Sequence, residues 1–152
     1  MRPARALPLE DSLGFQVRDL NRLMQRALAA RIAPSGVTPG AWYFLRVLWE
    51  KDGLTARELA DRIGMQEPTA VIALRGMETA GWITRARSEA DRRKVHVRLT
   101  PAGRALRETL LPEAHGVVAA ATAGMTDAEL ASLLRLLRRA RASLALEPPL
   151  PR

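Results

Sequence analysis

The chain has no cysteine. That absence removes a disulfide framework, a thiolate zinc site, a cysteine nucleophile and a thiol redox sensor. Aromatic residues are few, with three Trp, one Tyr and two Phe among 152 residues, so any aromatic wall for a ligand must draw on that small set. Long apolar runs are missing too. No stretch approaches the ~20 apolar residues of a transmembrane helix. Met1 to Leu9 carries arginines but no apolar segment able to form a signal-peptide core, and Glu10 and Asp11 break the acid-poor pattern of a transit peptide. These features predict a soluble, cytoplasmic chain with no membrane partner. Catalytic patterns are equally scarce. There is no metal-ligand cluster, no glycine-rich phosphate loop and no Gly-x-Ser-x-Gly elbow. His115 follows Glu113 by two positions, which puts them on different helix faces. The sequence therefore predicts no enzyme and no cofactor.

Basic residues, by contrast, are in excess: 24 Lys+Arg against 16 Asp+Glu, a net charge of +8. All but Lys51 and Lys94 of them are arginine. Such a balance points to a polyanionic partner, nucleic acid first and an acidic membrane surface second. With 47% hydrophobic and 26% charged residues the chain reads as globular. Its length suits one domain, or one domain with a dimerisation extension.

Helical periodicity runs through most of the sequence. From about Ser12 to Arg31, Leu13, Val17, Leu20, Met24 and Leu28 form one apolar stripe. Ala33-Pro34-Ser35-Gly36 ends it. Thr38 is a good N-cap followed by Pro39, and that helix reaches about Lys51 with Trp42, Leu45, Leu48 and Trp49. After the Asp52-Gly53 turn, Thr55-Ala56-Arg57-Glu58 is a capping box opening a third helix that stops at Gly64. A fourth helix opens at Met65-Gln66-Glu67-Pro68 and stops at Gly81. Two helices joined by so short a turn have the outline of a helix-turn-helix.

The period then falls to two. Ile83 to Arg87 and Val95 to Leu99 alternate on either side of a polar loop, which predicts a β-hairpin with an apolar face and a basic tip. Thr100-Pro101 restarts helix to about Ala123, with a kink expected at Pro112. Thr126-Asp127-Ala128-Glu129 is a further capping box. The last helix carries Leu130, Leu133, Leu134, Leu137 and Leu144 opposite Arg135, Arg138, Arg139 and Arg141.

Two features carry function. The hairpin holds Arg85, Arg87, Arg92, Arg93, Lys94 and Arg98 against Glu89 and Asp91. The guanidinium fork suits phosphate, and a narrow ribbon tipped with Arg can enter a minor groove. The fourth helix is the recognition candidate, with Gln66, Glu67 and Thr69 placed to meet base edges. It is otherwise apolar, with Val71 and Ile72 and only Arg75 basic. Modest direct readout is therefore expected, with much of the affinity from phosphates and hairpin.

Several of these segments together resemble the MarR family of bacterial regulators. They are Thr38-Pro39…Trp42…Leu45…Leu48, Gly53-Leu54-Thr55…Glu58-Leu59-Ala60, Gly81-Trp82-Ile83 and Asp91-Arg92-Arg93-Lys94-Val95…Leu99-Thr100-Pro101-Ala102-Gly103. The resemblance covers roughly residues 10–145, and the Asp-Arg-Arg wing followed by Leu-Thr-Pro-x-Gly is its most specific part. It implies a mainly α fold with a small β-hairpin, a winged helix-turn-helix with N- and C-terminal dimerisation helices. On that reading residues 1–11 are a flexible N-terminus, 12–37 and 101–146 the dimerisation helices, 38–100 the DNA-binding domain and 147–152 a flexible tail.

The resemblance also implies roles. The chain would be a homodimeric regulator, in the main a repressor, on a near-palindromic operator of double-stranded DNA. Its DNA-binding set is Thr55, Gln66, Glu67, Thr69, Arg75, Arg85, Arg87, Asp91, Arg92, Arg93 and Lys94. Arg92 or Arg93 would enter the minor groove, and Asp91 would hold a neighbouring Arg by a salt bridge. Leu13, Leu130, Leu133, Leu134 and Leu137 would form the dimer interface. Family members that sense peroxide through cysteine are no guide here. Others are released by a small aromatic acid or a related thioester, for which Phe15, Arg18, Trp42, Tyr43 and Arg46 are the candidate ligand residues. Two other readings stay open. One is a dimeric architectural DNA-binding protein without an effector, and the other is a protein-interaction module on the same scaffold.

Overall fold

A computed structural model describes residues 8–146. Of the ends expected to be loose, 1–11 and 147–152, residues 1–7 and 147–152 lie outside the described residues. The chain divides into two compact units between Val117 and Val118.

A short 3-10 turn at Leu9–Asp11 leads into α1 (Leu13–Ile32), where the Ser12 side chain accepts from the Phe15 backbone N–H at 3.4 Å. After Ala33–Ser35 the chain turns at Gly36 into α2 (Pro39–Glu50), and Thr38 Oγ1 accepts from Ala41 N at 3.2 Å. Next come α3 (Ala56–Ile63), α4 (Glu67–Thr79), β1 (Ile83–Arg87) and β2 (Val95–Leu99). The strands pair antiparallel with Ile83 opposite Leu99 and Arg87 opposite Val95. Pro101–Ala121 forms α5 and Asp127–Ala145 forms α6. The helix order, the capping boxes at Thr55 and Thr126 and the two strands of the hairpin all match the sequence pattern. α5 runs through Pro112 as one helix and stops at Ala121, two residues before the expected end. No helix among the described residues is long and apolar enough to cross a membrane.

In the first unit Phe44, Leu45 and Leu48 of α2 pack with Leu59 of α3, Leu74 and Met77 of α4, Ile83 and Val97 of the hairpin, and Leu110 of α5. Burying side chains of this size stabilises by about 1.5–3 kcal/mol each before entropy is charged against it. The α1 stripe behaves differently from its pattern. Only Leu28 and Ile32 are buried and Met24 is half-buried, whereas Leu13, Val17 and Leu20 stand exposed. Periodicity identified the apolar face but could not say that half of it stays uncovered among the described residues. In the second unit α6 buries no residue at all.

The Leu-Thr-Pro-x-Gly segment has a local cause. Thr100 Oγ1 donates to the Gly81 carbonyl at 2.6 Å and accepts from Gly103 N at 3.1 Å, so one hydroxyl caps α5 and fastens it to the turn before β1. A Cβ at Gly103 would lie 2.1 Å from the Trp82 carbonyl oxygen and 3.1 Å from Leu99 Cδ2. The carbonyl is backbone and cannot swing aside. Gly103→Ala is therefore expected to destabilise by about 1–3 kcal/mol through overpacking, read as a lower Tm. An unchanged Tm would contradict this account of the motif.

Candidate nucleic-acid interface

The helix-turn-helix is set by backbone geometry. α3 ends at Gly64, with φ +77 in the left-handed region, and Gly64 N and Met65 N both donate to the Ala60 carbonyl at 2.9 Å. That closes α3 and starts α4 within three residues. Ala70, Leu74 and Met77 bury one side of α4; Gln66 and Glu67 at its N-terminal end, with Thr69 and Arg75 along it, are exposed. Thr55 is occupied differently from its expected role. Its hydroxyl donates to Glu58 Oε2 at 3.0 Å and accepts from Glu58 N at 3.2 Å, and its backbone bridges His96 of β2. It positions α3 rather than presenting a free donor.

At the hairpin tip Asp91 Oδ1 accepts from Arg93 N at 3.1 Å and lies 3.7 Å from Arg93 Nε. Ser88 N donates to the Lys94 carbonyl and Lys94 N to that of Asp91, both at 2.9 Å, closing the turn. The Arg93 side chain is 97% exposed, and Arg92 and Lys94 are exposed beside it. Of the two candidate arginines, Arg93 is thus the one that Asp91 holds. Arg87 lines a concavity of about 430 Å³ with Ser88, His96 and Arg98 among its walls. Arg85, another of the expected DNA-binding set, is paired within the chain. Its Nε and Nη2 donate to Glu78 Oε2 of α4 at 2.9 and 2.5 Å, so it braces β1 against the recognition helix. That pair holds the Glu78 carboxyl below its usual range, through the hydrogen bonds first and the charge of Arg85 after them.

The base of the hairpin depends on a residue that the sequence reading took as a simple turn. Asp52 Oδ1 accepts from Gly53 N and from Leu99 N, both at 2.9 Å, and Asp52 Oδ2 takes Arg104 Nη2 at 3.0 Å. Gly53 N donates to Val97 O at 3.0 Å and Val97 N to Leu54 O at 2.8 Å, so the segment after α2 pairs with β2. Asp-Gly was visible in the sequence, but its partners lie 47 and 52 residues away.

The candidate ligand residues do not converge as expected. Trp42 is 4% exposed and belongs to the core, its ring edge-on to Trp49 at 5.8 Å. Arg46 does share its face, with Cζ 5.7 Å from the Trp42 ring, and it also pairs with Glu50. Tyr43 accepts a hydrogen bond from Gln25 of α1 at the surface. Phe15 is half-buried and Arg18 exposed, both on α1. A groove of about 180 Å³ between α2 and α5 is instead lined by Arg46, Trp49, Glu50, Arg107, Leu111 and His115. It shares Trp49, Glu50 and Arg107 with a hollow of about 510 Å³ that reaches Asp52, Leu99 and Arg104. Only Arg46 of the expected set lines either. Trp49, not Trp42, lines this groove: helical spacing put both Trp side chains on α2, but only burial separates core from groove. On the expected dimer face, Leu13 and Leu134 are exposed and Leu130, Leu133 and Leu137 half-buried.

Glu58 carries the α3 cap. Its carboxyl is held below the ordinary 4.5, first by the Thr55 backbone N–H, then by the Thr55 hydroxyl, with Lys51 and His96 adding positive charge. A lowered folded-state value means the cap contributes fully above 4.5 and is lost as pH falls through the lower folded-state value. Glu58→Ala is thus expected to lower Tm at pH 7, by a margin that narrows once the pH drops below that range. A margin constant from neutral to strongly acidic pH would contradict the capping role.

A sequence model described as the MarR family matches residues 35–94, from the end of α1's following turn through the wing tip. The HTH-type transcriptional regulator TtmR of Methylorubrum extorquens is 32% identical over 99 residues, 65% of this chain and 51% of that protein, so the match spans about half of that relative's length. The HTH-type transcriptional repressor Rv2887 of Mycobacterium tuberculosis is 31% identical over 111 residues, 73% of this chain and 77% of that one. Its structure in complex with salicylic acid superposes with a TM-score of 0.67 at 26% identity, covering 84% of this chain and 95% of its own. A crystal structure of a probable transcriptional regulator from Pseudomonas aeruginosa superposes with a TM-score of 0.80 at 30% identity, covering 87% and 98% of the two chains. With the helix-turn-helix, the hairpin and its Asp-Arg-Arg tip already in place, these matches identify the chain as a member of the MarR family of winged helix-turn-helix transcription regulators.

Proposed function

We propose that the chain is a homodimeric repressor that binds a near-palindromic DNA operator and releases it when a small aromatic acid or a related thioester binds. The observation that carries the DNA reading is the wing: an arginine-tipped hairpin whose base is fastened to α2 and α5 and whose first strand is braced to α4 by Arg85–Glu78. In the proposed complex Gln66, Glu67, Thr69 and Arg75 of α4 enter the major groove. Arg92 or Arg93 reaches the flanking minor groove, while Arg87 and Lys94 meet phosphates. Thr55, Arg85 and Asp91 hold these elements in place.

The dimer reading rests on apolar surface without a partner among the described residues. Leu13, Val17, Leu20 and Leu23 of α1 are 43–68% exposed, and α6 exposes Leu134, Leu136 and Leu144 while burying nothing. Residues 12–37 and 101–146 are accordingly assigned to dimerisation and 38–100 to DNA binding. A two-fold dimer places two recognition helices about one helical turn of DNA apart, which is why the operator is expected to be near-palindromic.

The effector reading is supported by the groove between α2 and α5. Arg46 and Arg107 offer guanidinium forks for a carboxylate, and Trp49 and Leu111 offer an apolar wall for a ring. The salicylic acid complex of Rv2887, its relative, is consistent with such a ligand class. The adjoining hollow includes Asp52 and Arg104, the pair at the wing base. A ligand that draws on these cations would bias the wing, provided that it binds the DNA-incompetent arrangement more tightly.

Two outcomes test these proposals. Arg92→Ala with Arg93→Ala is expected to weaken operator binding about ten-fold or more and to flatten its salt dependence, while light scattering still finds a dimer; unchanged affinity at moderate salt removes the wing from the interface. Arg46→Ala with Arg107→Ala is expected to keep DNA binding but abolish its reversal by salicylate, measured by fluorescence anisotropy. An intact response would place the effector elsewhere.

A further inference from the structure

The recognition helix carries an apolar ridge where polar readers are expected. Ile72 is 70% exposed, although the apolar residues two positions before and after it, Ala70 and Leu74, are buried. At 3.6 residues per turn it points about 200° from both of them, directly away from the core. The same outward face holds Pro68, Thr69, Gly76 and Thr79, with Arg75 as its charge.

Gly76 is the second observation. A Cβ built there meets nothing within 4 Å, and its φ is not positive, so neither packing nor backbone conformation within the chain calls for glycine. Glycine is the poorest helix-interior residue after proline. Its presence one turn beyond Ile72 leaves the outward face locally low, so another surface can come close to the helix. The surroundings say what that surface is. Arg75 stands beside the ridge, exposed Arg92 and Arg93 lie on the same compact unit, and the chain carries a net charge of +8. A polyanion fits this face better than an apolar protein partner does.

We infer that Ile72 is a specificity-determining residue that reads the 5-methyl group of a thymine in the major groove, with Gly76 letting the groove wall approach α4. This rests on the proposed DNA-binding function and extends it. The major groove displays thymine as a methyl beside an acceptor, and an apolar side chain distinguishes that edge from cytosine without hydrogen bonds. An apolar recognition helix is then a methyl reader and not a poor polar one. The same contact would accept 5-methylcytosine in thymine's place.

The test starts from duplexes selected by the full chain from a random-sequence pool. Each thymine of the selected site is then replaced by deoxyuridine, which removes only the methyl. Anisotropy at fixed salt is expected to show about a four-fold loss for one position in each half-site, the value of one buried methyl. Ile72→Ala should bind thymine and uracil duplexes equally. Gly76→Ala should raise Tm by a few degrees and yet weaken specific binding about ten-fold. Tight specific binding that is indifferent to uracil at every position would overturn the methyl reading while leaving the DNA-binding function standing. So would a Gly76→Ala chain that gains stability and keeps full affinity. A pool that yields no preferred sequence would overturn both.

Discussion

The Asp52 carboxylate holds together the part of the molecule on which the proposed function depends. It receives the backbone N–H groups of Gly53 and Leu99 and the guanidinium of Arg104. Those groups belong to the turn after α2, the end of β2 and the first turn of α5. A hairpin of two strands is marginal alone in water, so its direction has to come from what it is fastened to. One half-buried carboxylate with charge-assisted bonds, together with the pairing of Gly53 and Leu54 against Val97, supplies that direction. The Arg85–Glu78 pair adds a second fastening, from β1 to α4. Recognition helix and wing are therefore fixed with respect to each other before any DNA arrives, which lowers the ordering cost of binding.

The same arrangement would let the proposed ligand act at a distance. The groove at Arg46, Trp49 and Arg107 continues into the hollow that holds Asp52 and Arg104. A carboxylate competing for these cations would alter the electrostatic partners of Asp52 and hence the anchorage of Leu99. Trp49 links the two sides further, since its indole N–H donates to the Gly103 carbonyl at 3.0 Å. Coupling of this kind needs no long path, because the residues that would sense the ligand are neighbours of those that hold the wing.

Much of the architecture was legible in the sequence because it is locally encoded. Thr38, Thr55 and Thr126 announced helix starts through caps that involve residues three positions on. The alternation from Ile83 to Leu99 announced the hairpin because strand side chains have a period of two. What was not legible depends on partners far along the chain. Asp52 looked like half of a turn. Arg85 looked like a free cation until Glu78, on the preceding helix, claimed it. Trp42 and Trp49 are equivalent by spacing, and only three-dimensional packing buries the first and leaves the second in a groove wall. The α1 stripe likewise has a helical period but no information on where its partner ends.

The central claim is that two winged units read one operator as a symmetric pair. A hydroxyl-radical footprint on DNA selected by the full chain tests it most directly. The account predicts two equivalent protected blocks about 10 bp apart centre to centre, each flanked by protection of the adjacent minor groove. Diffuse protection with no fixed register, or a single unpaired block without minor-groove protection, would contradict it.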